Sequence, residues 1–222
     1  MKLSSRLSAI DSLICAPYDV IWDCCCDHGL LGMALLKRVA AKQINFVDIV
    51  PTLMDELEHT LTRFSDQQAA CQWQVLCQDV ATIELQPSAK QLIIIAGVGG
   101  ELLLRLVQKM VANCPEKLRE QLSFIVCPVH HTYTLRQGLQ ALGLGLIKEQ
   151  LVQENNRFYE VIQLSFTSNT ALSVTGSQMW DNAEQMHELY LQQLVAHYTR
   201  MLNKDRTYFQ HVLDDYQKIS LN

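Results

Sequence analysis

Between Asp23 and Gly29 the chain reads Asp-Cys-Cys-Cys-Asp-His-Gly, a loop that crowds carboxylates, thiols and an imidazole together. Three chemistries are open to such a set. Zinc needs four converging ligands, yet neighbours in an extended segment face opposite ways. No second Cys-x-x-Cys or His-x-x-His unit completes a tetrahedral site, so no metal is expected. A thiolate nucleophile would have only His28 as its base, and small apolar thiols packed beneath a ligand loop are the better reading. The carboxylates are then the informative groups. Pyrophosphate sits on backbone N–H groups at a helix N-terminus, where Asp23 and Asp27 would repel it. Of the usual dinucleotide-loop glycines only Gly29 is present. A doubly acidic loop suits a cationic ligand, and S-adenosylmethionine carries both a sulfonium and an ammonium.

Further carboxylates fall at matching places. Asp48 closes the second expected strand, where doubly wound folds keep the acidic residue that hydrogen-bonds ribose hydroxyls. Asp79 follows the third strand and can accept a hydrogen bond from an adenine amino group. Gly97-Val98-Gly99-Gly100 follows the fourth strand, giving either close backbone approach to a ligand or a tight turn. His130 and His131, just after Pro128, either overlook the same edge or lie in solvent. No Asn/Asp-Pro-Pro-Tyr motif is present, which argues against exocyclic amino methylation.

The elements that hold these residues alternate. Leu3–Ile14 reads as an amphipathic helix capped by Ser4 or Ser5 and stopped before Pro17. Tyr18–Trp22 is a strand running into the acidic loop, and a helix spans about Leu30 to Ala41. Gln43–Val47, Trp73–Cys77, Gln91–Ala96 and Ser123–Cys127 are further strands. The unbroken apolar run of Gln91–Ala96 fits a central parallel strand covered on both faces. Helices begin at Pro51, near Leu102 and near Leu135. Strands at Leu144–Gln153 and Arg157–Phe166, joined through Glu154-Asn155-Asn156, make an antiparallel hairpin. The expected architecture is α/β and Rossmann-like, with a mostly parallel sheet of about seven strands closed by that C-terminal hairpin. Residues 1–166 form this domain, the Ser/Thr/Asn/Gly stretch 167–177 a linker, and 178–222 a helical appendage. Met179, Met186, Tyr190, Leu194 and Tyr198 place one long helix there, or an αα-hairpin broken at Asn203-Lys204-Asp205.

Hydrophobic residues make up 49% of the chain and charged residues 18%, a globular balance. A net charge of −5 excludes gripping nucleic acid by bulk electrostatics but leaves room for a local basic patch. No apolar run has membrane-span length, and Lys2, Arg6 and Asp11 interrupt any secretory h-region. Eight cysteines in such a chain read as reduced thiols and a cytoplasmic location.

Four segments together resemble one family. Leu3-Ser4-Ser5-Arg6-Leu7 is similar to a Leu-Ser-x-Arg-Leu opening, and Asp23–Gly29 to an Asp-Ile-Gly-x-Asp-His-Gly loop. Ile94 to Gly100 is similar to Ile-Ala-Gly-Met-Gly-Gly. Glu149-Gln150-Leu151-Val152 with Phe158-Tyr159-Glu160 is similar to a Glu-x-Leu-Val…Tyr-Tyr-Glu hairpin. These are marks of the bacterial tRNA adenine-N1 methyltransferases that modify adenine at position twenty-two, of which this chain resembles a divergent member. The resemblance implies a class I methyltransferase fold with S-adenosylmethionine as cofactor and tRNA as partner. By position, Asp23, Cys25, Asp27, His28 and Gly29 would line the methionine side, Asp48 would bind ribose, and Asp79 adenine. Gly97 would border the cofactor, while Val98, Gly99, Gly100 and Pro128 would face the target base and Arg6 would hold RNA. Asp27, then His28, are the candidates to offset or accept the proton charge of the methylated adenine. Lys2, Arg136 and basic residues of the C-terminal helices would meet phosphates. Cys25 stands where the family has a glycine, Val98 where it has Met, and Cys127-Pro128-Val129 where it has Gln-Pro-Asn. These departures keep two other readings in view, a non-catalytic relative and a small-molecule methyltransferase.

Overall fold

The computed structural model describes residues 2–64, 70–181 and 183–219. The chain runs α1 (Ser5–Ser12), β1 (Tyr18–Cys24), α2 (Leu30–Lys37), β2 (Ala41–Asp48), α3 (Pro51–Phe64) and β3 (Gln72–Cys77). It continues with a short 3-10 turn (Val80–Thr82), β4 (Gln91–Ala96), α4 (Gly100–Asn113), α5 (Glu116–Arg119) and β5 (Leu122–Cys127). The last elements are α6 (Thr132–Ala141), β6 (Gly145–Glu154), β7 (Arg157–Ser165), α7 (Gln185–Met201) and α8 (Arg206–Gln217).

The strands form a single seven-stranded sheet in the order β3-β2-β1-β4-β5-β7-β6. β3 through β5 are parallel, and β7 and β6 are antiparallel additions, as the sequence pattern requires. Alternation along the strands sends side chains to two separate cores. Leu92 and Ile94 join Ile21, Ile44 and Phe46 beneath α1, α2 and α3, where Leu35, Met54 and Leu57 close the layer. Ile93 and Ile95 join Trp22, Phe124 and Val126 beneath α4 and α6, against Leu103, Val107, Leu135 and Leu139. β4 is therefore apolar throughout because both its faces are covered.

Two boundaries differ from the sequence reading. The second helix stops at Lys37, not near Ala41, and β2 starts at Ala41. Val39 takes a left-handed conformation (φ 54°) there, and the Val39 and Ala40 N–H groups close back on Leu36 and Leu35 carbonyls. That is a helix C-cap of the kind glycine usually provides, here built without one. The hairpin turn is the opposite case, since Asn155 and Asn156 both have positive φ (50° and 59°), the backbone that a two-residue type I′ turn demands.

At the C-terminus the helical stripe resolves into two helices, with Asp205 accepting the Tyr208 N–H at 3.0 Å to start α8. Tyr198, Leu213 and Tyr216 pack with Tyr133 of α6, and Tyr190 packs with Met179 and Leu151. Residues 167–177 lie along the sheet domain, with Leu172 buried and the Thr170 carbonyl accepting the Leu146 N–H.

Arg136 is corrected by the structure. Expected at a phosphate, it is instead wholly buried. Its Nη2 lies 2.7 Å from both Glu149 Oε2 and Glu160 Oε2, while Nε donates to Glu160 Oε2 at 2.7 Å. Burial alone would weaken its charge, but Glu160 and Glu149 outweigh that and raise its pKa. Tyr190 donates to Glu160 Oε1, and Ser177 and Gln178 N–H groups donate to Glu149 Oε1. This buried cluster clamps the C-terminal segment onto the hairpin and leaves nothing for RNA.

Candidate active site

The parallel strands end at one level, because Cys24 is paired with Val47 and with Ile95, Asp48 with Cys77, and Ala96 with Cys127. The loops following β1, β2, β3, β4 and β5 therefore gather on one edge of the sheet. Two adjoining cavities open there. The smaller, of about 430 Å³, is lined by Arg6, Leu7, Asp23–His28, Leu30, Leu31, Asp48, Val50, Leu53 and Ala96–Val98. The larger, of about 590 Å³, is lined by Cys25, Asp48–Val50, Asp79, Val80, Val98, Leu102, Arg105, Leu106 and Lys109. Cys25, Asp48, Val50 and Val98 belong to both, so they form the shared rim.

The acidic loop is held in place by its own carboxylates. Asp23 lies buried in β1, one residue before its end, and its Oδ2 accepts the Gly32 N–H of α2 at 2.8 Å. Burial pushes its pKa up to about 7, the Gly32 N–H pulls against this, and the nearby charge of Asp48 adds to the rise. Asp48 braces the loop from β2, since its Oδ2 accepts the Asp27 N–H at 3.1 Å. Its Oδ1 accepts the N–H groups of Ile49 (2.7 Å) and Val50 (3.2 Å). Cys25 and Asp27 both lie in the left-handed region (φ 56° and 52°), a strain of about 1–2 kcal/mol each that these bonds sustain. The Asp27 and His28 side chains remain exposed above, with Oδ1 and Nε2 3.6 Å apart.

Gly29 does not line either cavity. It begins α2 with φ 66°, and any Cβ there would stand 2.7 Å from the Leu57 side chain, so its task is to seat the loop on α3. Gly99 and Gly100 likewise sit behind the site. A Cβ on Gly99 would collide with the His130 ring, and one on Gly100 would lie 2.6 Å from the His131 carbonyl. The Gly100 N–H donates to the His130 carbonyl at 2.9 Å and the Val129 N–H to the Val98 carbonyl at 3.0 Å. The turns after β4 and β5 are thus zipped together, with Pro128 buried beneath them. Gly97 and Val98, by contrast, line the smaller cavity directly. His131 turns outward to Glu101, 3.2 Å away.

Asp79 caps the 3-10 turn, its Oδ1 accepting the Ala81 N–H at 2.9 Å, and lines the larger cavity. The thiols are held protonated at neutral pH. Burial, with Asp48, Asp23 and Asp79 nearby, pushes Cys25 up to about 11, and burial with Asp23 and Asp48 nearby raises Cys26 further. Neither is a nucleophile at neutral pH. No group of three or more His, Cys, Asp or Glu able to hold a metal is found among the described residues.

Sequence reasoning missed the apolar and basic walls. Ile49 is 69% exposed at the mouth, and Leu102, Arg105 and Lys109 project from one face of α4. The Ile49-Val50 pair was a usable signal, since two β-branched apolar residues stand between a strand-end carboxylate and a helix-starting proline, where a solvated loop would carry polar residues. The α4 residues gave none, because their spacing is that of any amphipathic helix.

Comparison with solved structures bears on the whole chain. TrmK of M. capricolum in complex with S-adenosyl-homocysteine superposes with a TM-score of 0.75 at 17% identity, over 98% of this chain and 97% of that one. A Streptococcus pneumoniae protein, described as a candidate tRNA (m1A22) methyltransferase and solved with S-adenosyl-L-methionine, gives 0.76 at 19%, over 98% and 99%. The B. subtilis m1A22 tRNA methyltransferase TrmK gives 0.72 at 19%, over 97% and 94%. No curated protein matches by sequence. At these identities the structures establish a common fold that includes the C-terminal helices. A family model described as a methyltransferase domain matches residues 3–162, which take in the acidic loop and most of the hairpin. The chain belongs to that methyltransferase-domain family.

Proposed function

We propose that this protein is an S-adenosylmethionine-dependent methyltransferase acting on N1 of an adenine in tRNA. The observation that carries the reading is the convergence of Asp23, Asp27, Asp48 and Asp79 on two adjoining cavities at a single sheet edge. A cationic ligand fits such walls, and a pyrophosphate does not. Whole-chain likeness to structures named for that activity supports the adenine and the tRNA.

The residues divide the work by place. In the larger cavity Asp48 and Asp79 would accept hydrogen bonds from ribose hydroxyls and an adenine amino group, between Ile49, Val80 and Leu102. In the smaller one Asp23, Asp27 and the Gly97 backbone would hold the amino-acid end. When bound, S-adenosylmethionine supplies an electrophilic methyl group on sulfonium. Arg6 and Val98 would place the target base in line with it, and such alignment is worth several kcal/mol of barrier. Methylation at N1 leaves adenine cationic unless a proton leaves N6, so the Asp27 carboxylate would offset or accept that charge, with His28 beside it. For the RNA backbone, Arg105 and Lys109 stand exposed at the mouth, and Arg200 and Lys204 lie near His197, which burial and their charges keep toward the neutral form. This basic surface is local, as the net charge of −5 requires.

Residues 1–166 are taken as the catalytic domain and 178–222 as a helical appendage joined through 167–177. A cytoplasmic location is part of the same reading, and no helix among the described residues is long and apolar enough to cross a membrane. The Cys25 side chain favours a second reading, a non-catalytic relative, because it stands at the rim shared by both cavities where the resembled family has a glycine. Methyl transfer from labelled cofactor to bulk tRNA lacking endogenous modification, followed by nucleoside mapping, separates them. Label in 1-methyladenosine is expected. Label in another nucleoside overturns the regiochemistry, and no label in RNA overturns the substrate.

A further inference from the structure

α1 has only eight residues, too few to be stable alone, so something must hold it in register. Its own cap is weak, because the Leu7 N–H reaches Ser4 Oγ only at 3.4 Å. The stronger acceptor comes from the far end of the domain. Glu154, where β6 meets the hairpin turn, accepts the Arg6 N–H on Oε2 at 2.9 Å. Burial pulls Glu154 toward protonation, but the Arg6 and Ser5 N–H groups, the Ser4 hydroxyl and the Arg6 charge together hold its pKa below the ordinary value. β6 adds a second tie, Gln150 Nε2 donating to the Ala9 carbonyl at 2.8 Å. β7 adds a third, with the Arg6 guanidinium over the Tyr159 ring, 5.0 Å from its centroid. Arg6 Nε is buried without a hydrogen-bond partner, while Arg6 and Leu7 line the smaller cavity.

We propose that Glu154 is a positioning residue for the active site. It caps α1 from the hairpin and thereby sets Arg6 against the smaller cavity, where the Arg6 N–H groups meet the RNA substrate. The two segments are far apart in sequence, and the hairpin tip is the element that joins them. The proposal rests on the tRNA reading above for the identity of the substrate, but not for the coupling itself.

Two measurements test it on the full chain. Hydrogen exchange of the Ser5 and Arg6 amides reads the cap without any activity. Glu154→Ala should speed it by roughly tenfold, the scale of a lost N-cap, and leave the β4 amides unchanged. Methyl transfer to unmodified tRNA reads the consequence. Glu154→Ala should raise KM for tRNA by roughly fivefold to tenfold and leave S-adenosylmethionine affinity within about twofold. Glu154→Gln, whose amide oxygen still accepts, should restore most of it. Adding Glu154→Ala to an Arg6→Ala protein should cost less than about twofold more. Unchanged exchange at Arg6, or an equal loss from Glu154→Ala with and without Arg6, would overturn the proposal. If the unaltered protein transfers no methyl to tRNA, the substrate reading fails, and the exchange result still decides whether Glu154 holds α1.

Discussion

Replacing Asp23 with asparagine should stabilise this protein, and by an amount that grows with pH. The carboxyl is only 4% exposed, and burial, opposed by the Gly32 N–H and helped by Asp48, pushes its pKa up to about 7. In the unfolded chain it titrates near ~3.9. Below about pH 4 both states hold the proton, and the neutral carboxyl contributes its full stability. Between about pH 4 and 7 the folded state keeps a proton that the unfolded chain releases, so stability falls as pH rises and levels off above about 7. A gap of about three units at ~1.4 kcal/mol each is at most ~4 kcal/mol. Asparagine keeps an oxygen for the Gly32 N–H at the same place and carries no charge. Urea denaturation of both proteins from pH 5 to pH 8 isolates this group, because titrations not coupled to Asp23 cancel in the difference. The variant should gain on the parent from pH 5 to about 7 and then hold its advantage, at ~2–4 kcal/mol by pH 8. A difference that stays flat with pH would refute a pKa of Asp23 raised by burial.

Other consequences follow from the same geometry. Cys25→Gly removes a side chain from the rim shared by the two cavities and relieves a φ of 56°. Affinity for S-adenosylmethionine, read by calorimetry, should rise severalfold, with stability within ~1 kcal/mol of the parent because glycine also loosens the unfolded chain. Arg136→Ala leaves Glu149 and Glu160 buried without their cation and should cost ~3–5 kcal/mol, seen in thermal unfolding together with early loss of α7 packing.

How much of this was legible without coordinates follows from where side chains decide the backbone. The mostly parallel sheet came from strand–helix alternation, and the central place of β4 from its uninterrupted apolar run, which only a doubly covered strand tolerates. The turn at Asn155-Asn156 announced itself because asparagine tolerates positive φ. Cys25 and Val39 also adopt positive φ, and nothing in their residue types says so, whereas Asp27 and His131 are of types that tolerate it. The end of α2 is set there by the local Val39 and Ala40 N–H bonds, and the course of the acidic loop by tertiary bonds such as Asp48 to the Asp27 N–H. The candidate carboxylates were readable because strand ends fix them at one edge. The exchange between Arg136 and its two glutamates was not, since each partner lies on a different element and an arginine in an amphipathic helix reads as solvated. Gly29, Gly99 and Gly100 were read as ligand-facing glycines, and the structure gives them packing duties behind the site.

The central claim is that Asp23, Asp27, Asp48 and Asp79 enclose one S-adenosylmethionine site spanning both cavities. Calorimetric titration of the purified chain with S-adenosylmethionine at pH 8 tests it most directly, with Asp48→Asn alongside. The expected result is saturable binding of about one cofactor per chain, weakened roughly tenfold or more in the variant, as loss of a charged acceptor implies. No saturable binding, or equal affinity in the variant, would contradict it.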